Sequence, residues 1–221
     1  RMARSKAYLF RGVQIRWTCA PDLINGKDQT PTEAILHFPN GLADFLAESL
    51  QDGPTVTPQP FAGRADLTED EGEVEWAMHW PLESEGFVNS YCNSVPTSQG
   101  GAHEVGFRAA LTKGLKAYGE MASVRKASQL TADDILGPAA AMLSVYIRQP
   151  QFSGQTKEKL SHPNAARWVE AIVRDHFDHW LSGDPENANR LLAWGIERAD
   201  ERRRRREARD IKRKSASRRV R

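Results

Sequence analysis

A mainly apolar run from Ala139 to Ile147 limits most strongly how this chain can fold. The run has the length and character of a strand, and the pattern over residues 164–181 that follows is that of a strongly amphipathic helix. The polar segment between them, residues 150–160, must connect a strand to a helix and present its side chains at an edge. Together with other segments of alternating and helical periodicity, this order predicts an α+β fold.

The connecting segment contains three residues suited to binding an anion. Gly154 allows a sharp turn, Gln155 carries an amide that donates or accepts, and Lys157 carries a compact ammonium. Gln155 and Lys157 could hold one phosphate together, whereas an ordinary polar loop with a solvated lysine would use the same residues. The pattern Gly-x-x-x-x-Gly-Lys-Ser/Thr is absent from the sequence, which excludes a Walker A loop.

A second informative stretch begins with Gly100 and Gly101 and continues as a helix. Two glycines permit close approach of an anion or of another backbone, although a plain helix-entry turn uses them too. The helix has an apolar stripe expected to face the sheet, made of Phe107, Leu111, Leu115, Tyr118 and Ala122. A neighbouring stripe, Arg108, Thr112 and Lys116, is predicted at the surface. This stripe either contacts nucleic-acid phosphates or is solvated, with Glu104 paired to Arg108.

Alternating patterns predict two hairpins. Residues 12–17 are expected to pair with residues 33–38, in a small sheet whose other strands lie outside this sequence. Residues 73–80 are expected to form a half-buried strand with one apolar face, and residues 87–95 are expected to supply its hairpin partner.

Further helices are predicted near both ends. A short packing helix begins after Gly41, and a long helix opens at Asp184-Pro185 and extends into the arginine-rich end, up to Lys214. His176 and His179 share a helix face, but no third ligand converges with them by spacing, so we predict no metal site.

Composition and charge bound the class of protein. A hydrophobic content of 39% in 221 residues predicts a folded core, and the absence of a long apolar run and of an apolar leader predicts a soluble, cytoplasmic protein. Cys19 and Cys92 are expected to be buried reduced thiols. Residues 202–221 contain twelve Arg or Lys against two acidic residues, a net +10 that leaves −8 for residues 1–201. This basic tail either binds nucleic acid or is the solvated flank of a long helix.

Two motifs resemble signatures of the ATPase subunit of bacterial type IIA DNA topoisomerases, topoisomerase IV more than gyrase. One is the run Gln155-Thr156-Lys157-Glu158-Lys159-Leu160, which resembles the Gln-Thr-Lys loop of that subunit. The other is Gly100-Gly101-Ala102-His103-Glu104-Val105-Gly106-Phe107-Arg108-Ala109-Ala110-Leu111, which resembles its Gly-Gly-Thr-His-x-x-Gly-Phe-Arg-x-x-Leu signature. Ala102 replaces the usual threonine, so any hydrogen bond from that hydroxyl is absent.

The resemblance implies a domain organisation. Residues 39–200 would form an α+β transducer domain of the ribosomal protein S5 domain 2-like type, a sheet packed on one side by helices. A remnant of a GHKL-type ATPase domain would precede it at residues 1–38. The basic end of a long helix, residues 201–221, would lead toward a DNA-cleaving (TOPRIM) domain.

The resemblance also implies roles for individual residues. Lys157 and Gln155 would contact the γ-phosphate of ATP, with Lys157 also acting in catalysis, while Arg108 and Lys116 would face double-stranded DNA. ATP and Mg²⁺ are the implied cofactors of the parent enzyme, and its implied partners are DNA, the DNA-cleaving subunit and a second copy of the ATPase subunit. No membrane is implied.

The sequence lacks an Asp-x-Gly-x-Gly nucleotide motif and the context of a DNA-cutting tyrosine. We therefore predict that this chain alone neither hydrolyses ATP nor cuts DNA, and binds no cofactor alone. Two alternatives come from other classes of protein: a stand-alone nucleic-acid-binding module that uses the basic tail and the Arg108 stripe, and a dimerisation or scaffold module.

Overall fold

The computed structural model describes residues 2–24, 30–51, 53–67 and 71–219. The helices are α1 Met2–Leu9, α2 Leu42–Leu50, α3 Ala102–Met121, α4 Ala132–Leu136, α5 Ala165–Gly183 and α6 Pro185–Arg219. The strands are β1 Gln14–Thr18, β2 Glu33–His37, β3 Phe61–Asp66, β4 Gly72–His79, β5 Phe87–Cys92, β6 Val95–Pro96 and β7 Ala140–Ile147. The α+β prediction is confirmed.

Five strands form the main sheet in the order β3-β4-β7-β5-β6. The predicted hairpin of β4 and β5 is wrong, because β7 lies between them, antiparallel to β4 and parallel to β5. Strand β7 is buried along nearly its whole length, and a strand that is apolar on both faces gains most from a central position. The latest strand in the sequence therefore separates two earlier ones.

Helices cover both faces of this sheet, so the expectation of one-sided packing is wrong. Alternate residues of β7, such as Leu143 and Val145, join the core beneath α3, α5 and α6. Ala140 and Met142 point the other way and pack with α1 and α2. The alternation along one strand thus assigns its side chains to two separate cores.

Strand β4 is buried on both faces rather than half-buried. Val74, Trp76 and Met78 lie in the core shared with α3 and α5, as predicted. On the opposite face Glu75 is buried, and its Oε1 accepts a hydrogen bond of 3.0 Å from the backbone N–H of Leu42 at the start of α2. Burial raises the pKa of Glu75 despite this bond.

The first hairpin prediction is confirmed, since β1 and β2 pair antiparallel in a separate two-stranded sheet. Most of its side chains are exposed. The preceding helix α1 is tied to the main sheet: the hydroxyls of Tyr8 and Tyr91 lie 2.7 Å apart, and Lys6 Nζ donates to Ser94 Oγ at 2.6 Å. Cys92 is buried as expected, whereas Cys19 is partly exposed; both are free thiols.

Helix α6 contains 35 residues and is longer than the sequence pattern predicted. It begins as expected, with the Asp184 carboxylate accepting a hydrogen bond of 3.1 Å from the backbone N–H of Asn187. The first part of the helix packs on the α3 side of the core, where Leu191 and Leu192 are buried, and the basic end follows.

Candidate functional site

Residues 151–161, here called the tip loop, form a small hairpin after β7. Phe152 and Leu160 pair antiparallel, Ser153 N–H donates to Lys159 O at 2.9 Å, and Ser161 N–H donates to Gln151 O at 2.8 Å. The turn itself uses positive φ at Gly154 (84°) and Lys157 (58°). Lys157 therefore occupies the left-handed region without being glycine, a conformation that its surroundings must stabilise.

The base of the tip loop is fixed to the glycine turn, residues 99–102. Leu160 is buried in the core, its N–H donates to Gly100 O at 3.1 Å, and its carbonyl oxygen accepts from Ala102 N–H at 2.8 Å. Gly101 has φ of 140° and a Cβ there would lie 2.3 Å from Leu160 O. The glycine pair could have admitted an anion, another backbone or a plain helix-entry turn; in the structure it admits the backbone of Leu160.

Ala102, at the position where threonine is usual, takes part through its main chain. Its N–H is the donor to Leu160, and its side chain packs partly buried against the main core. The missing hydroxyl therefore removes no part of this anchor.

The tip of the loop projects Gln155 and Lys157 into solvent. Both residues are exposed, and neither side chain forms a hydrogen bond or an ion pair with any residue that the structure describes. Lys157 Nζ lies 6.0 Å from the centre of the Phe152 ring. The loop therefore presents both side chains at the surface, as expected for a polar segment between two buried elements, while its base is held in the core.

Glu158 and Gln99 link the tip loop to the glycine turn a second time. Gln99 N–H donates to Glu158 O at 2.9 Å, and Gln99 Nε2 donates to Glu158 Oε2 at 3.0 Å. Thr156 Oγ1 donates to the same carboxylate oxygen at 3.2 Å. The sequence did not predict the contact between Gln99 and Glu158, because these residues are 59 positions apart. The adjacent glycines Gly100 and Gly101 were the one indication in the sequence that another backbone approaches here.

A buried polar network lies beside the glycine turn. Ser90 Oγ donates to Glu104 Oε1 at 2.5 Å and lies 2.5 Å from Thr97 Oγ1, which is 3.1 Å from His103 Nε2. His103 is fully buried, and burial lowers its pKa to about 4. Its Nδ1 has no hydrogen-bond partner among the described residues. The imidazole is therefore neutral at physiological pH.

The predicted surface stripe on α3 is partly occupied by internal contacts. Arg108 forms an ion pair with Asp133 on α4 rather than with Glu104, which accepts from Ser90 instead. The Arg108 side chain is 37% exposed. Lys116, two turns further on, is half-buried, with no hydrogen bond or ion pair to the described part of the chain.

The first arginine of the basic tail is a structural anchor. Arg202 Nε and Nη2 donate to the two carboxylate oxygens of Asp134, both at 2.9 Å, and the Asp134 side chain is only 3% exposed. Burial alone would raise the pKa of Asp134, but hydrogen bonds from Arg202 and Thr131 hold that pKa below its ordinary value. Residues 204–211 are exposed along α6.

The described residues were also searched for a metal site and for a membrane-spanning helix. No group of three or more His, Cys, Asp or Glu is arranged to hold a metal ion there. Within α5, His176 packs edge-on against Trp76, and His179 Nδ1 lies 2.8 Å from Asp175 O. Among residues 2–24, 30–51, 53–67 and 71–219, no helix combines the length and the apolar character of a membrane span.

Comparison with models of protein families identifies the family of this chain. The model of the family described as DNA gyrase B matches residues 41–211, which include the tip loop, the glycine turn and most of α6. The chain belongs to the DNA gyrase B family.

Individual relatives within the family are topoisomerase subunits. The chain is 56% identical to the B subunit of DNA topoisomerase 4 from Caulobacter vibrioides, over all of this chain and 32% of that protein. It is 36% identical to the B subunit of DNA topoisomerase 4 from Escherichia coli, over 90% of this chain and 30% of that protein. The chain therefore spans about a third of the length of these curated relatives.

Solved structures of gyrase and topoisomerase IV share the fold. The 43K ATPase domain of Thermus thermophilus gyrase B, in complex with an aminocoumarin, superposes with a TM-score of 0.77 at 27% identity, over 95% of this chain and 54% of that one. The topoisomerase IV ATP binding domain of Francisella tularensis, in complex with a small-molecule inhibitor, gives 0.72 at 28% identity, over 91% and 52%. The chain thus corresponds to part of the regions known in those structures as the ATPase or ATP binding domain.

Proposed function

We propose that this chain is the transducer segment of an ATP-dependent type IIA DNA topoisomerase, in which Lys157 and Gln155 contact the γ-phosphate of ATP. In this proposal residues 39–200 are the transducer domain of S5 domain 2-like type. Residues 1–38 are the end of a GHKL-type ATPase domain, and residues 201–221 lead toward the cleavage domain. The observation that carries the proposal is the exposure of Gln155 and Lys157, without polar partners in the described part of the chain, at the tip of a loop with a buried base.

The chemistry of the tip fits a terminal phosphate. An ammonium supplies a point charge and an amide supplies directional hydrogen bonds, and together they complement a phosphoryl group without any covalent step. In this proposal the remainder of the ATP and Mg²⁺ site comes from other residues of the parent enzyme. Lys157 would complete that site and stabilise transition-state charge.

The same contact gives the tip a mechanical role. A lysine ammonium about 4 Å from one phosphate charge gains roughly 1 to 4 kcal/mol between the limits of bulk water and a protein surface. That energy biases a two-state domain rotation without locking it. Loss of phosphate after hydrolysis removes the attraction, so the segment returns and hydrolysis is coupled to DNA strand passage.

The proposed partners follow from this placement. They are double-stranded DNA, the DNA-cleaving subunit and a second ATPase subunit, and the proposed location is the bacterial cytoplasm with the chromosome. The chain by itself is proposed to hydrolyse no ATP and to cut no DNA.

The deciding experiment changes Lys157 in the full-length subunit assembled with its DNA-cleaving partner. Lys157→Ala should lower steady ATP turnover at least about tenfold, because one donor to developing charge is lost. The matched control is Lys159→Ala, which removes an exposed lysine of the same loop and should leave turnover unchanged. In the 221-residue chain both variants should have the same free energy of unfolding as the parent sequence.

Two results would refute the proposal. One is unchanged ATP turnover in Lys157→Ala. The other is steady ATP hydrolysis by the purified chain itself, which would require a nucleotide site within it.

A second candidate function is nucleic-acid binding by the basic end of α6. It is favoured by the exposure of Arg204, Arg205, Arg206 and Arg209 over two turns of helix. DNA affinity that falls steeply with salt, and is largely lost on removal of residues 202–221, would support this function. Because Asp133 partly neutralises the Arg108 stripe, we expect that stripe to contribute less to nucleic-acid binding than the basic end of α6.

A further inference from the structure

The geometry points to Gln99 and Glu158 as positioning residues: we propose that this pair, here called the clamp, joins the tip loop to α3 so that both move as one body. The inference rests on the proposed function, because it assigns the clamp to the transmission between the phosphate-facing tip and α3, the helix that carries Arg108. Neither residue is proposed to touch ATP or DNA.

The clamp joins the same two residues twice. The main-chain bond between Gln99 N–H and Glu158 O is 2.9 Å, and the side-chain bond between Gln99 Nε2 and Glu158 Oε2 is 3.0 Å. Two bonds at different points of each residue restrict rotation as well as separation. The bond from Thr156 Oγ1 to the same carboxylate, at 3.2 Å, extends this restriction toward the tip.

The position of the clamp in the chain gives it a transmitting role. Glu158 directly follows Lys157, and Gln99 comes three residues before the first residue of α3. Arg108 lies in the second turn of that same helix. A displacement of the tip therefore reaches α3 through the clamp and through the backbone bonds between Leu160 and the glycine turn.

The two links contribute differently. The backbone bonds at Leu160 are buried and hold the base of the loop, whereas the side chains of the clamp lie at the exposed edge. Exposed polar pairs contribute little to global stability. Removing the clamp side chains should therefore leave the fold intact but weaken the restraint on the position of Lys157, the residue before Glu158.

The test uses Glu158→Ala, Gln99→Glu and the exchanged pair Gln99→Glu with Glu158→Gln. Gln99→Glu opposes two carboxylates, and the exchanged pair restores one amide and one carboxylate with reversed positions. The control is Glu120→Ala, which removes an exposed carboxylate of α3 that has no side-chain partner among the described residues. In the assembled full-length enzyme, DNA-stimulated ATP turnover is measured as kcat and KM.

We expect Glu158→Ala and Gln99→Glu to lower kcat about fivefold with KM for ATP changed less than about twofold. Each variant loses the surface hydrogen bond between the Gln99 amide and the Glu158 carboxylate, and Glu158→Ala also loses the bond from Thr156. The exchanged pair should recover kcat to within about twofold of the parent. A purely structural role would instead lower the unfolding temperature of Glu158→Ala and Gln99→Glu and leave kcat unchanged, and the exchanged pair would restore the unfolding temperature alone.

A second readout is independent of activity. In the 221-residue chain, hydrogen exchange of the Gln99 amide should accelerate several-fold in Glu158→Ala but not in Glu120→Ala. If kcat and amide exchange are both unchanged, the clamp proposal is overturned. Should Lys157→Ala lower turnover while the clamp variants do not, the proposed function stands and only this inference fails. Should Lys157→Ala have no effect, the proposed function fails, and the exchange measurement alone decides whether the clamp fixes the loop.

Discussion

Gly101 and Leu160, 59 positions apart, lie so close that Ala102 N–H donates to Leu160 O at 2.8 Å and a Cβ on Gly101 would stand 2.3 Å from that oxygen. The contact unites the two motifs that resemble topoisomerase signatures. It also makes the base of the tip loop part of the start of α3. Substitutions at this contact therefore test the architecture of the candidate site.

Gly101→Ala should lower the free energy of unfolding by at least about 2 kcal/mol, because the residue combines φ of 140° with a backbone clash. Denaturant unfolding of the 221-residue chain measures the change. The matched control is Gly154→Ala, which has φ of 84° but nothing within 4 Å of the added Cβ, and should cost about 1 kcal/mol. Equal losses in the two variants would contradict the contact.

Arg202→Met should destabilise the chain by about 2 kcal/mol near neutral pH, since it leaves the buried Asp134 carboxylate without its bidentate partner. The Asp134 pKa is depressed in the folded state, so this stabilisation is present above the ordinary aspartate pKa and is lost as pH falls through the folded value. Urea unfolding at several pH values checks both points. Arg204→Met, on the same helix and without an ion pair to a described residue, should cost less than about 0.5 kcal/mol.

His103→Gln should flatten the acid side of the stability profile. The His103 pKa is about 4 when folded and about 6.5 when unfolded, so the unfolded chain binds the extra proton between these values. Stability from this group is complete above about pH 6.5 and falls by about 3 kcal/mol as pH drops toward about 4. The difference in unfolding free energy between parent and variant, measured from about pH 7.5 to about pH 4.5, isolates this contribution. Parallel profiles would contradict it.

Asp133→Asn should tighten binding of a DNA duplex about two- to threefold and raise the slope of log affinity against log salt by about one, because it releases Arg108 from its ion pair. Fluorescence anisotropy over a salt series measures both quantities. Asp175→Asn makes the same change in net charge at an exposed position of α5 and serves as the control. If both variants gain equally, the effect is one of net charge and Arg108 makes no DNA contact.

The pattern of apolar residues by itself determined most of the local structure. It predicted the hairpin of β1 and β2, the apolar face of β4, the strand β7 and the helices α2, α3, α5 and α6, because each of these segments buries one stripe or face that its own periodicity reveals. The exposed tip with Gln155 and Lys157 was also predicted, since a polar segment between two buried elements must reach the surface.

Only the tertiary structure decided which of these elements touch. Four contacts join residues that are distant in sequence. Strand β7 lies between β4 and β5, and Glu75 is buried against α2. Arg202 bonds to Asp134, and Gln99 bonds to Glu158. Periodicity records whether a side chain is buried but carries no information on which partner buries it. The chain therefore encoded its elements and its charged tip locally, while the fold alone determined how the tip is anchored.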